Sequence, residues 1–408
     1  MGIRITFVSN FINHHQIPFC EEMYSRLHED FSFVQVMPMD QQRVEMGWGE
    51  ESSRIPYLHK LYEEEEFCTR LILDCDVLIL GWTGDDKGEK KDVLIKERLS
   101  SGKPVIRISE RIYREGRYKA VSPRGLIAKY HEHIKYKAKP VYMLCAGAYV
   151  SGDFKLLGAY PGKMFKWGYF PPLKRFEEDQ LQEMLYKEKE KLRLCFVARL
   201  IKLKHPEFAL YVAEHLRNRG IDFHMDIVGD GPLRSELEAT VKEKGLADKI
   251  TFHGSMEPDK VRRVMENSHV FIFASNYLEG WGAVVNEAMN SACAVVASKE
   301  AGAVPFLIKD KENGLSFDKC SKDELLSKID YLIDEPGRIS KFQKAAYETI
   351  ISEWNAEVAG ERFLHFCKNI TADNSELKDI PTSGPMSRAE VLKAPGFIRT
   401  LQEDNHLE

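Results

Sequence analysis

Short apolar runs recur along the whole chain, and stretches with helical spacing lie between most of them. Each run is brief and nearly uninterrupted, which is typical of parallel strands that are buried on both faces. The runs lie near 3–9, 31–38, 76–81, 104–108, 141–145, 164–169, 192–198, 225–229, 270–274 and 294–297. This alternation predicts an α/β fold with largely parallel sheets.

The strand pattern breaks at Pro171 and Pro172, and a charged stretch with helical spacing, Glu177–Lys191, follows. A chain of 408 residues is long enough for two or three domains. We place the hinge in the region of this break because few apolar contacts are expected to cross it. The predicted division is an N-terminal domain at 1–172, a C-terminal domain at 190–340, helices at 341–370 and a tail at 371–408.

The stretch 269–298 holds the strongest candidate chemistry. It predicts a strand, a loop with glycines at 280 and 282, a short helix from Ala283 and a second buried strand. A helix start offers unpaired amide groups that suit a phosphate, and glycines let the backbone approach a ligand closely. Glu279 and Glu287 flank this point. A diphosphate would repel both carboxylates, so each is better suited to accept hydrogen bonds from hydroxyl groups on either side of it.

A second candidate site follows the strand at 192–198. Arg199 and Lys204 lie at the end of this strand and before a helix that is predicted to begin at Pro206. Two cations beside a helix start form an anion site, in which arginine supplies a fork of donors and lysine a point charge. Lys202 is the alternative lysine.

The pair Glu279-x7-Glu287, together with Gly280, Gly282 and Ala288, resembles the retaining glycosyltransferases of the GT-B fold, family four. The resemblance implies two Rossmann-like domains that face each other across a cleft. It also implies that Glu279 contacts the transferred sugar and Glu287 the ribose. The donor diphosphate would then be contacted by Arg199 and Lys204. The loop residues whose amides would face the donor are Gly280, Trp281, Gly282 and Ala283.

The same resemblance extends to two further glycine turns. Gly229 and Gly231 stand in a block that shapes the nucleotide pocket of the family, and the loop at His253, Gly254 and Met256 borders the base. The glycines also have a simpler interpretation, which is turn formation alone. Uracil is the commonest donor base of the family, so we expect a UDP-sugar as the donor.

Polar residues follow the first strand, where the family usually has a glycine-rich loop. Asn13, His14 and His15 stand there, and they either contact the acceptor or donor sugar or merely cap a helix. At the end of the strand at 104–108 the family often has a histidine, whereas this chain has Glu110. Glu110 either faces the sugar or forms a salt bridge with Arg111 or Arg114. A long loop is predicted at 39–62, in which Trp48 either stacks on an acceptor sugar or packs.

The segment 111–139 is rich in lysine and arginine, with aromatic and aliphatic residues interleaved. It predicts either contact with phosphate or an anionic membrane surface, or a solvated basic face. No nucleic-acid motif accompanies it, so we expect no nucleic-acid partner. Parts of 142–170 resemble family-four enzymes that build bacterial surface polysaccharides, which implies a saccharide or polyprenyl-diphosphate-linked acceptor.

Composition also bears on the cellular location and the partners of the protein. The net charge of −5 says little about partners, and no apolar run approaches the about 20 residues of a membrane span. The chain enters a strand at once without a signal-peptide pattern, and its scattered cysteines are typical of reduced core residues. We therefore expect a cytoplasmic protein that can lie peripherally at the inner face of the plasma membrane. No metal-ligand spacing is present, and we expect neither a cofactor nor a metal requirement.

These observations together predict a hexosyl- or N-acetylhexosaminyltransferase that works with retention at the anomeric carbon. Arg199, Lys204 and the amides after Glu279 would stabilise the leaving nucleoside diphosphate. Two alternatives remain open at this point, which are a nucleotide-sugar epimerase of the same fold and a non-catalytic GT-B-like scaffold subunit.

Overall fold

The computed structural model describes residues 2–39, 55–84, 90–114, 122–187, 190–318, 321–372 and 377–395. The chain forms two compact units, which we call unit 1 and unit 2. Unit 1 consists of Met1–Tyr113, Arg117–Pro172 and Asn355–Lys393, and unit 2 of Arg114–Gly116, Leu173–Trp354 and Ala394–Glu408. The chain thus passes from unit 1 to unit 2 after Pro172 and back after Trp354.

Unit 1 contains a seven-stranded sheet with the order β3-β2-β1-β4-β5-β6-β7, and neighbouring strands pair in parallel. Its strands are β1 (Ile5–Ser9), β2 (Phe31–Gln35), β3 (Leu58–Lys60), β4 (Val77–Leu80), β5 (Val105–Ser109), β6 (Val141–Ala146) and β7 (Met164–Trp167). The six strands predicted in this half are confirmed. The predicted loop at 39–62 is wrong at its end, because β3 forms there. Three half-buried residues at a sheet edge leave too short a pattern to detect. Trp48 lies outside the described residues.

Helices cover this sheet because their apolar residues recur at helical spacing. In the first helix, Pro18 occupies the first turn, and Phe19, Cys20 and Met23 are buried. The helices of this part of unit 1 are α1 (Ile17–Leu27), α2 (Glu65–Asp74), α3 (Lys90–Ser100), α4 (Pro123–Glu132) and α5 (Val150–Leu156).

Unit 2 contains a six-stranded parallel sheet with the order β10-β9-β8-β11-β12-β13. Its strands are β8 (Leu192–Val197), β9 (Phe223–Val228), β10 (Ile250–Gly254), β11 (Val270–Phe273), β12 (Ala294–Ser298) and β13 (Leu315–Phe317). The apolar runs of the second half therefore form strands as predicted. The prediction of two α/β domains with parallel sheets is confirmed.

The helices of unit 2 pack on its sheet through a continuous apolar core. They are α6 (Glu178–Met184), α7 (Glu207–Asn218), α8 (Arg234–Glu243), α9 (Pro258–Glu266), α10 (Val284–Asn290), α11 (Val304–Leu307), α12 (Lys322–Ile333) and α13 (Arg338–Ser352). The helical stretch expected at Glu177–Lys191 is shorter than predicted. Leu185 has an extended backbone and a buried side chain, so packing ends the helix at Met184.

The chain returns to unit 1 with α14 (Ala356–Thr371), whose Phe363 ring lies 5.4 Å from that of Phe19 on α1. Beyond it, residues 377–395 are described and extend along β7. The amide of Met386 donates to the carbonyl of Lys166 at 2.9 Å, and the amide of Lys166 donates to Ser387 at 2.8 Å. Part of the expected tail is therefore a fixed segment at the edge of the unit 1 sheet.

Candidate active site

The carboxyl ends of β8 and β11 lie side by side in the unit 2 sheet, where the strand order reverses. Parallel α/β sheets bind ligands in the crevice outside such a reversal. Arg199 and Lys204 follow β8, and Glu279 follows β11. The topology thus brings together two groups of predicted site residues that are far apart in the sequence.

A direct ion pair joins these two loops. The Lys204 Nζ contacts the Glu279 carboxylate, and each side chain is only 15% exposed. The loops are also tied by their backbones, since the amide of Asn276 donates to the carbonyl of Leu203 at 2.9 Å. Lys204 and Glu279 therefore form one polar site, because the backbone hydrogen bond holds their two loops together.

Sequence reasoning missed the residues that hold this ion pair in place. Asn276 accepts a hydrogen bond from the amide of Leu278 at 3.0 Å, and its Nδ2 lies 3.4 Å from His205 Nε2. The other ring nitrogen of His205 lies 2.7 Å from a Glu207 carboxylate oxygen. Asn276 stands close after β11, and His205 stands in the longer loop after β8, and these positions are the signal that could have identified them.

Arg199 is exposed at the end of β8, and its guanidinium makes no hydrogen bond or ion pair with the described part of the chain. The neighbouring Lys202 is exposed as well. The fork of donors on Arg199 is therefore available to an incoming anion.

Two glycines allow the turn after β9 to approach the loop after β8. A Cβ atom on Gly229 would lie 1.9 Å from the carbonyl oxygen of Ala198, and one on Gly231 would lie 2.5 Å from that of Leu200. The backbone φ of Gly229 is +123°, which side chains rarely permit. These glycines are thus required for packing between neighbouring loops as well as for the turn itself.

The end of β10 continues the same edge of the sheet. The amide of Gly229 donates to the carbonyl of Gly254 at 2.8 Å. The Nε2 atom of His253 lies 2.6 Å from an Asp226 carboxylate oxygen, so the His253 side chain is hydrogen-bonded to a neighbouring strand of the sheet. Met256 is half-buried. The backbone groups of this loop, rather than the His253 ring, therefore remain the candidates for contact with a base.

Trp281 is part of the core. Its side chain is 1% exposed, its Nε1 donates to Asn286 at 2.9 Å, and its ring packs against Phe306 and Trp354. Among the atoms of Trp281, those of the backbone remain candidates for contact with a donor. The backbone of this loop is fixed in turn, since the amide of Ala303 donates to the Trp281 carbonyl at 2.9 Å.

The glycine that follows Trp281, Gly282, is required because the surrounding atoms leave no room for a side chain. Gly282 has a φ of +91°, and a Cβ there would lie 2.8 Å from the Phe273 ring. The carbonyl of Gly280 accepts a hydrogen bond from the amide of Gly302 at 3.2 Å, and Ala283 is the N-cap residue that precedes α10. The four loop residues are therefore held close to one another.

The helix α10 has only seven residues, so its dipole is a weak source of positive charge. We therefore expect the side-chain cations to contribute more than this helix to the attraction of an anion.

Glu287 lies in the first turn of α10 and has an unusual environment. Burial raises the pKa of its carboxyl group, an effect that the nearby Arg262 partly opposes. The Arg262 guanidinium donates to the backbone carbonyl of Glu287 at 3.0 Å and to Asn290 at 2.8 Å. In the described residues no hydrogen bond reaches the Glu287 carboxylate itself. A desolvated carboxylate of this kind is well suited to accept hydrogen bonds from the hydroxyl groups of a ligand.

Glu300 is a further acidic residue that sequence reasoning did not single out. It is buried at the end of β12, and its carboxylate accepts a hydrogen bond from the amide of Tyr277 at 3.2 Å. It thereby supports the loop that carries Glu279. Its position directly after a buried strand was the available signal.

Three of the predicted residues of unit 1 come together around Tyr169. The rings of His14 and His15 lie 3.8 Å apart, and His15 stacks on Tyr169 at 5.3 Å with nearly parallel planes. The Tyr169 hydroxyl donates to Glu110 at 2.6 Å. Tyr169 was not predicted as a site residue. Its role depends on a contact across 59 residues of sequence, which no local pattern reveals.

Asn13 has a mainly structural environment. Its side chain accepts a hydrogen bond from the amide of His15 at 3.0 Å, and its amide donates to Gln16 at 3.2 Å. These bonds shape the turn before α1, whose N-cap residue, Gln16, makes no side-chain capping hydrogen bond with the described residues. Arg111, one of the expected partners of Glu110, pairs with the buried Asp153 at 3.4 Å.

Burial keeps the two histidines neutral. It lowers the pKa of His15 to about 3, with a smaller effect from His14, and it also lowers the pKa of His14. The Nδ1 atom of His15 is buried and has no hydrogen-bond partner among the described residues. At neutral pH this cluster therefore offers uncharged ring nitrogens and one carboxylate, a set that suits hydroxyl groups better than phosphates.

Metal-ligand clusters and membrane-spanning helices are both absent from the described residues. No group of three or more His, Cys, Asp or Glu side chains there is placed to hold a metal ion. No helix in these residues is long and apolar enough to cross a membrane. Their cysteines are free and buried, as the sequence predicts.

Curated relatives match parts of the chain. An alpha-D-kanosaminyltransferase of Streptomyces kanamyceticus is 26% identical over 43% of this chain and 45% of that protein. The putative glycosyltransferase EpsF of Bacillus subtilis is 34% identical over 27% of this chain and 28% of its own. The GalNAc-alpha-(1->4)-GalNAc-alpha-(1->3)-diNAcBac-PP-undecaprenol alpha-1,4-N-acetyl-D-galactosaminyltransferase of Campylobacter jejuni is 32% identical over 36% and 40%. The chain spans less than half the length of these relatives.

A solved structure covers more of the chain. HepE of Anabaena in complex with UDP has a TM-score of 0.65 and 13% identity, over 90% of this chain and 100% of that chain. Residues 177–349 match the family described as Glycosyl transferases group 1, and this segment holds all the predicted donor-side residues. The comparisons therefore support a GT-B fold over 90% of the chain, and residues 177–349 are similar to the family described as Glycosyl transferases group 1.

Proposed function

We propose that the protein transfers a hexosyl or N-acetylhexosaminyl group from a UDP-sugar to a saccharide or polyprenyl-diphosphate-linked acceptor, with retention at the anomeric carbon. The observation that carries this proposal is the Lys204–Glu279 pair at the reversal of the unit 2 sheet, with Arg199 and Glu287 available beside it. Bacterial glycosyltransferases among the relatives support a role in cell-surface polysaccharide synthesis.

The donor diphosphate is bound by Arg199 and Lys204 in this proposal. The bond between the anomeric carbon and the phosphate oxygen breaks, so negative charge develops on the departing UDP. Cations that are fixed beside that oxygen stabilise this charge more than that of the bound donor. The ion pair with Glu279 orients Lys204, and the Glu279 carboxylate also accepts hydrogen bonds from the sugar hydroxyls.

Glu287 binds the ribose in this proposal. Two adjacent hydroxyls can donate to its two carboxylate oxygens, and burial, which raises the pKa of Glu287, leaves the carboxylate with less water to compete with them. Uracil is proposed as the base because UDP binds to HepE, which has the same fold. Backbone groups near Gly254 would recognise its edge.

The acceptor hydroxyl attacks the anomeric carbon on the face that the leaving group vacates, which gives retention. The departing phosphate accepts the proton of that hydroxyl, so the step needs no protein base. Arg199 and Lys204 neutralise the negative charge of the diphosphate in this proposal. We therefore propose that turnover continues when divalent metal ions are removed by a chelator.

The acceptor is bound by unit 1 in this proposal. Neutral rings at His14 and His15, together with Glu110, can accept and donate hydrogen bonds to sugar hydroxyls. The Campylobacter relative is named for an acceptor that carries undecaprenol diphosphate, which supports the lipid-linked option. Such an acceptor would place the protein at the cytoplasmic face of the membrane.

The first test is thermal unfolding with UDP, GDP and ADP, on the parent protein and on Glu287→Ala and Arg199→Ala. A ligand at 100 times its dissociation constant stabilises a protein by about 2.7 kcal/mol, which is readily measured. We expect a shift that is selective for UDP and absent in both variants. Glu257→Ala, an exposed carboxylate on unit 2, is the control and should keep the shift.

Other outcomes would change the proposal in defined ways. A preference for GDP or ADP would contradict the proposed base. Conversion of one UDP-sugar into another without UDP release would favour an epimerase. A UDP shift without turnover on a panel of saccharide and lipid-linked acceptors would favour the scaffold subunit, and no shift with any nucleotide would contradict a donor site.

A further inference from the structure

We propose that Arg262 and Asn290 are positioning residues for Glu287, because they hold its backbone in place and supply the positive charge that stabilises its carboxylate. Both lie in unit 2, Arg262 on α9 and Asn290 at the end of α10. The inference rests on the proposed function, since it concerns how the proposed ribose-binding carboxylate is prepared for its ligand. Neither residue belongs to the pair of glutamates or to the cations that the sequence singles out.

The Arg262 guanidinium joins α9 to α10. Its side chain is buried, with the residue only 7% exposed. The Nη1 atom donates to the backbone carbonyl of Glu287 at 3.0 Å, and the Nη2 atom donates to Asn290 Oδ1 at 2.8 Å. A rotation or a shift of α10 would break both bonds. They therefore fix the position from which the Glu287 side chain extends.

Asn290 is held in turn by the segment that enters unit 2 after Pro172. The amide of Lys174 donates to Asn290 Oδ1 at 2.9 Å, and Asn290 Nδ2 donates to the carbonyl of Lys174 at 2.9 Å. The Lys174 Nζ pairs with Glu266 on α9 at 2.6 Å. Because two backbone groups determine how the Asn290 amide is oriented, its oxygen stays in place for Arg262.

The charge of Arg262 has no direct ion pair to explain it. In the part of the chain that the structure describes, its hydrogen bonds go to a carbonyl and an amide oxygen, and its Nε has no partner. A buried charge is unfavourable unless an opposite charge lies nearby. Burial lowers the pKa of Arg262, and the Glu287 carboxylate opposes this effect more than Glu266 does.

The effect between Arg262 and Glu287 is mutual. Burial raises the pKa of the Glu287 carboxyl group, and Arg262 is the charge that opposes this increase. The two groups therefore stabilise each other's charged forms through space. Since Arg262 donates to the backbone of Glu287 instead of to its carboxylate, the carboxylate oxygens stay available for the hydroxyl groups of a ligand.

The other elements that pack on α10 bring no second cation among their described residues. The buried residues of α13 include one titratable side chain, Tyr347, whose hydroxyl accepts the amide of Phe176 at 2.7 Å. The strand β12 carries no titratable residue. Cys293, which precedes this strand, is kept neutral because burial raises the pKa of its thiol. Removal of Arg262 is therefore expected to change the ionisation of Glu287 directly.

The test is calorimetric binding of UDP between about pH 5 and about pH 9, on the parent and on Arg262→Met and Arg262→Lys. Without the cation, Glu287 keeps its proton to a higher pH, and a protonated carboxyl group accepts fewer hydrogen bonds. Arg262→Met should therefore bind UDP about tenfold more weakly than the parent at the acidic end, and about threefold or less at the basic end. The phosphates of UDP titrate in every assay alike, so the ratio to the parent isolates the protein.

Arg262→Lys separates charge from geometry. Lysine keeps the positive charge but loses the fork that reaches both acceptors on α10. We expect a loss of about threefold that does not depend on pH. Arg263→Met is the matched control, since it makes the same substitution at the exposed neighbouring position of α9, and it should bind UDP like the parent at every pH.

Asn290→Asp is the second variant, which tests the inference even if Arg262→Met does not fold. It keeps the shape of the side chain, and its carboxylate competes with Glu287 for the charge of Arg262, so the loss of UDP affinity should again be greatest at acidic pH. A loss that is independent of pH in both Arg262→Met and Asn290→Asp, or no loss in either, would overturn the inference.

The same assay with Glu287→Ala distinguishes this inference from the proposed function. Weaker binding by Glu287→Ala together with parent-like pH profiles in Arg262→Met and Asn290→Asp would leave the ribose contact in place and contradict the positioning role alone. Unchanged binding by Glu287→Ala, or no binding of UDP by the parent, would contradict the proposed donor site and the positioning role with it.

Discussion

The two units share the same arrangement of their central strands but carry different chemistry at the strand ends. In unit 1 the order β3-β2-β1-β4 reverses beside β1, and in unit 2 the order β10-β9-β8-β11 reverses beside β8. Unit 2 presents Arg199, Lys204 and two glutamates there. Unit 1 presents neutral histidines after β1 and, on neighbouring elements, Tyr169 and Glu110.

This difference shows that topology provides the crevice and loop composition selects its ligand. Cations at the strand ends of unit 2 suit a diphosphate, whereas uncharged rings in unit 1 suit the hydroxyls of a sugar. We therefore propose that the donor binds to unit 2 and the acceptor to unit 1.

The largest effect is expected from the cations of unit 2. Arg199→Ala or Lys204→Ala should reduce transfer by about 10²–10³-fold, because each removes a group that stabilises the departing diphosphate. Steady-state turnover with a UDP-sugar measures this loss. Lys202→Ala, the exposed neighbour, is the matched control and should change turnover by less than about twofold. An equal loss in the control would show that general positive charge, rather than these two positions, is required.

The next largest effect concerns the packing of the unit 2 loops. Gly229→Ala should destabilise the protein by at least about 2 kcal/mol, since the new Cβ would clash with the Ala198 carbonyl at a positive φ. Gly245→Ala is the control, because its φ is also positive but the space around it is open. It should cost about 1 kcal/mol. Equal losses in denaturant unfolding would contradict the close approach of the two loops.

A smaller effect is expected in unit 1. Tyr169→Phe should reduce transfer by about tenfold through loss of its hydrogen bond to Glu110, while the thermal shift with UDP stays unchanged. Tyr169 is thus a positioning residue for Glu110. A reduced UDP shift in this variant would mean that the unit 1 cluster acts on the donor, and the comparison between the units would fail.

The smallest effect is a change in pH dependence. Folding lowers the pKa of His15 from an ordinary 6.5 to about 3, so the unfolded state binds more protons between these values. The stability that neutral His15 contributes is complete above the higher value and is lost as the pH falls toward the lower one. The slope is at most about 1.4 kcal/mol per pH unit. His15→Gln should flatten this part of the stability curve, and an unchanged curve would contradict burial of a neutral ring.

The two units also differ in how much the sequence could predict. In unit 2, glycines at 229, 231 and 282 are required where backbone approaches backbone or a ring, and charged residues stand at fixed offsets from them. Such short, constrained loops leave a recognisable pattern, so Lys204 and Glu279 could be identified before their contact was known.

In unit 1 the candidate site depends on contacts between distant segments. Tyr169 joins His15 to Glu110 although these residues lie far apart in the sequence, and no spacing rule connects them. In unit 2, the positions of Asn276 and Glu300 after buried strands could have identified them, but the hydrogen bond between Glu300 and the amide of Tyr277 joins separate loops and follows from no local spacing. Short elements such as β3 and the early end of α6 were missed because tertiary packing, not local periodicity, decides them.

The most direct test of the central claim is calorimetric binding of UDP to the parent, Glu287→Ala and Tyr169→Phe. The assignment of the donor to unit 2 predicts that UDP affinity falls by about tenfold or more in Glu287→Ala, which removes the proposed acceptor for the ribose hydroxyls. Affinity should be unchanged in Tyr169→Phe. Unchanged binding in Glu287→Ala, or an equal fall in both variants, would contradict the division of donor and acceptor between the two units.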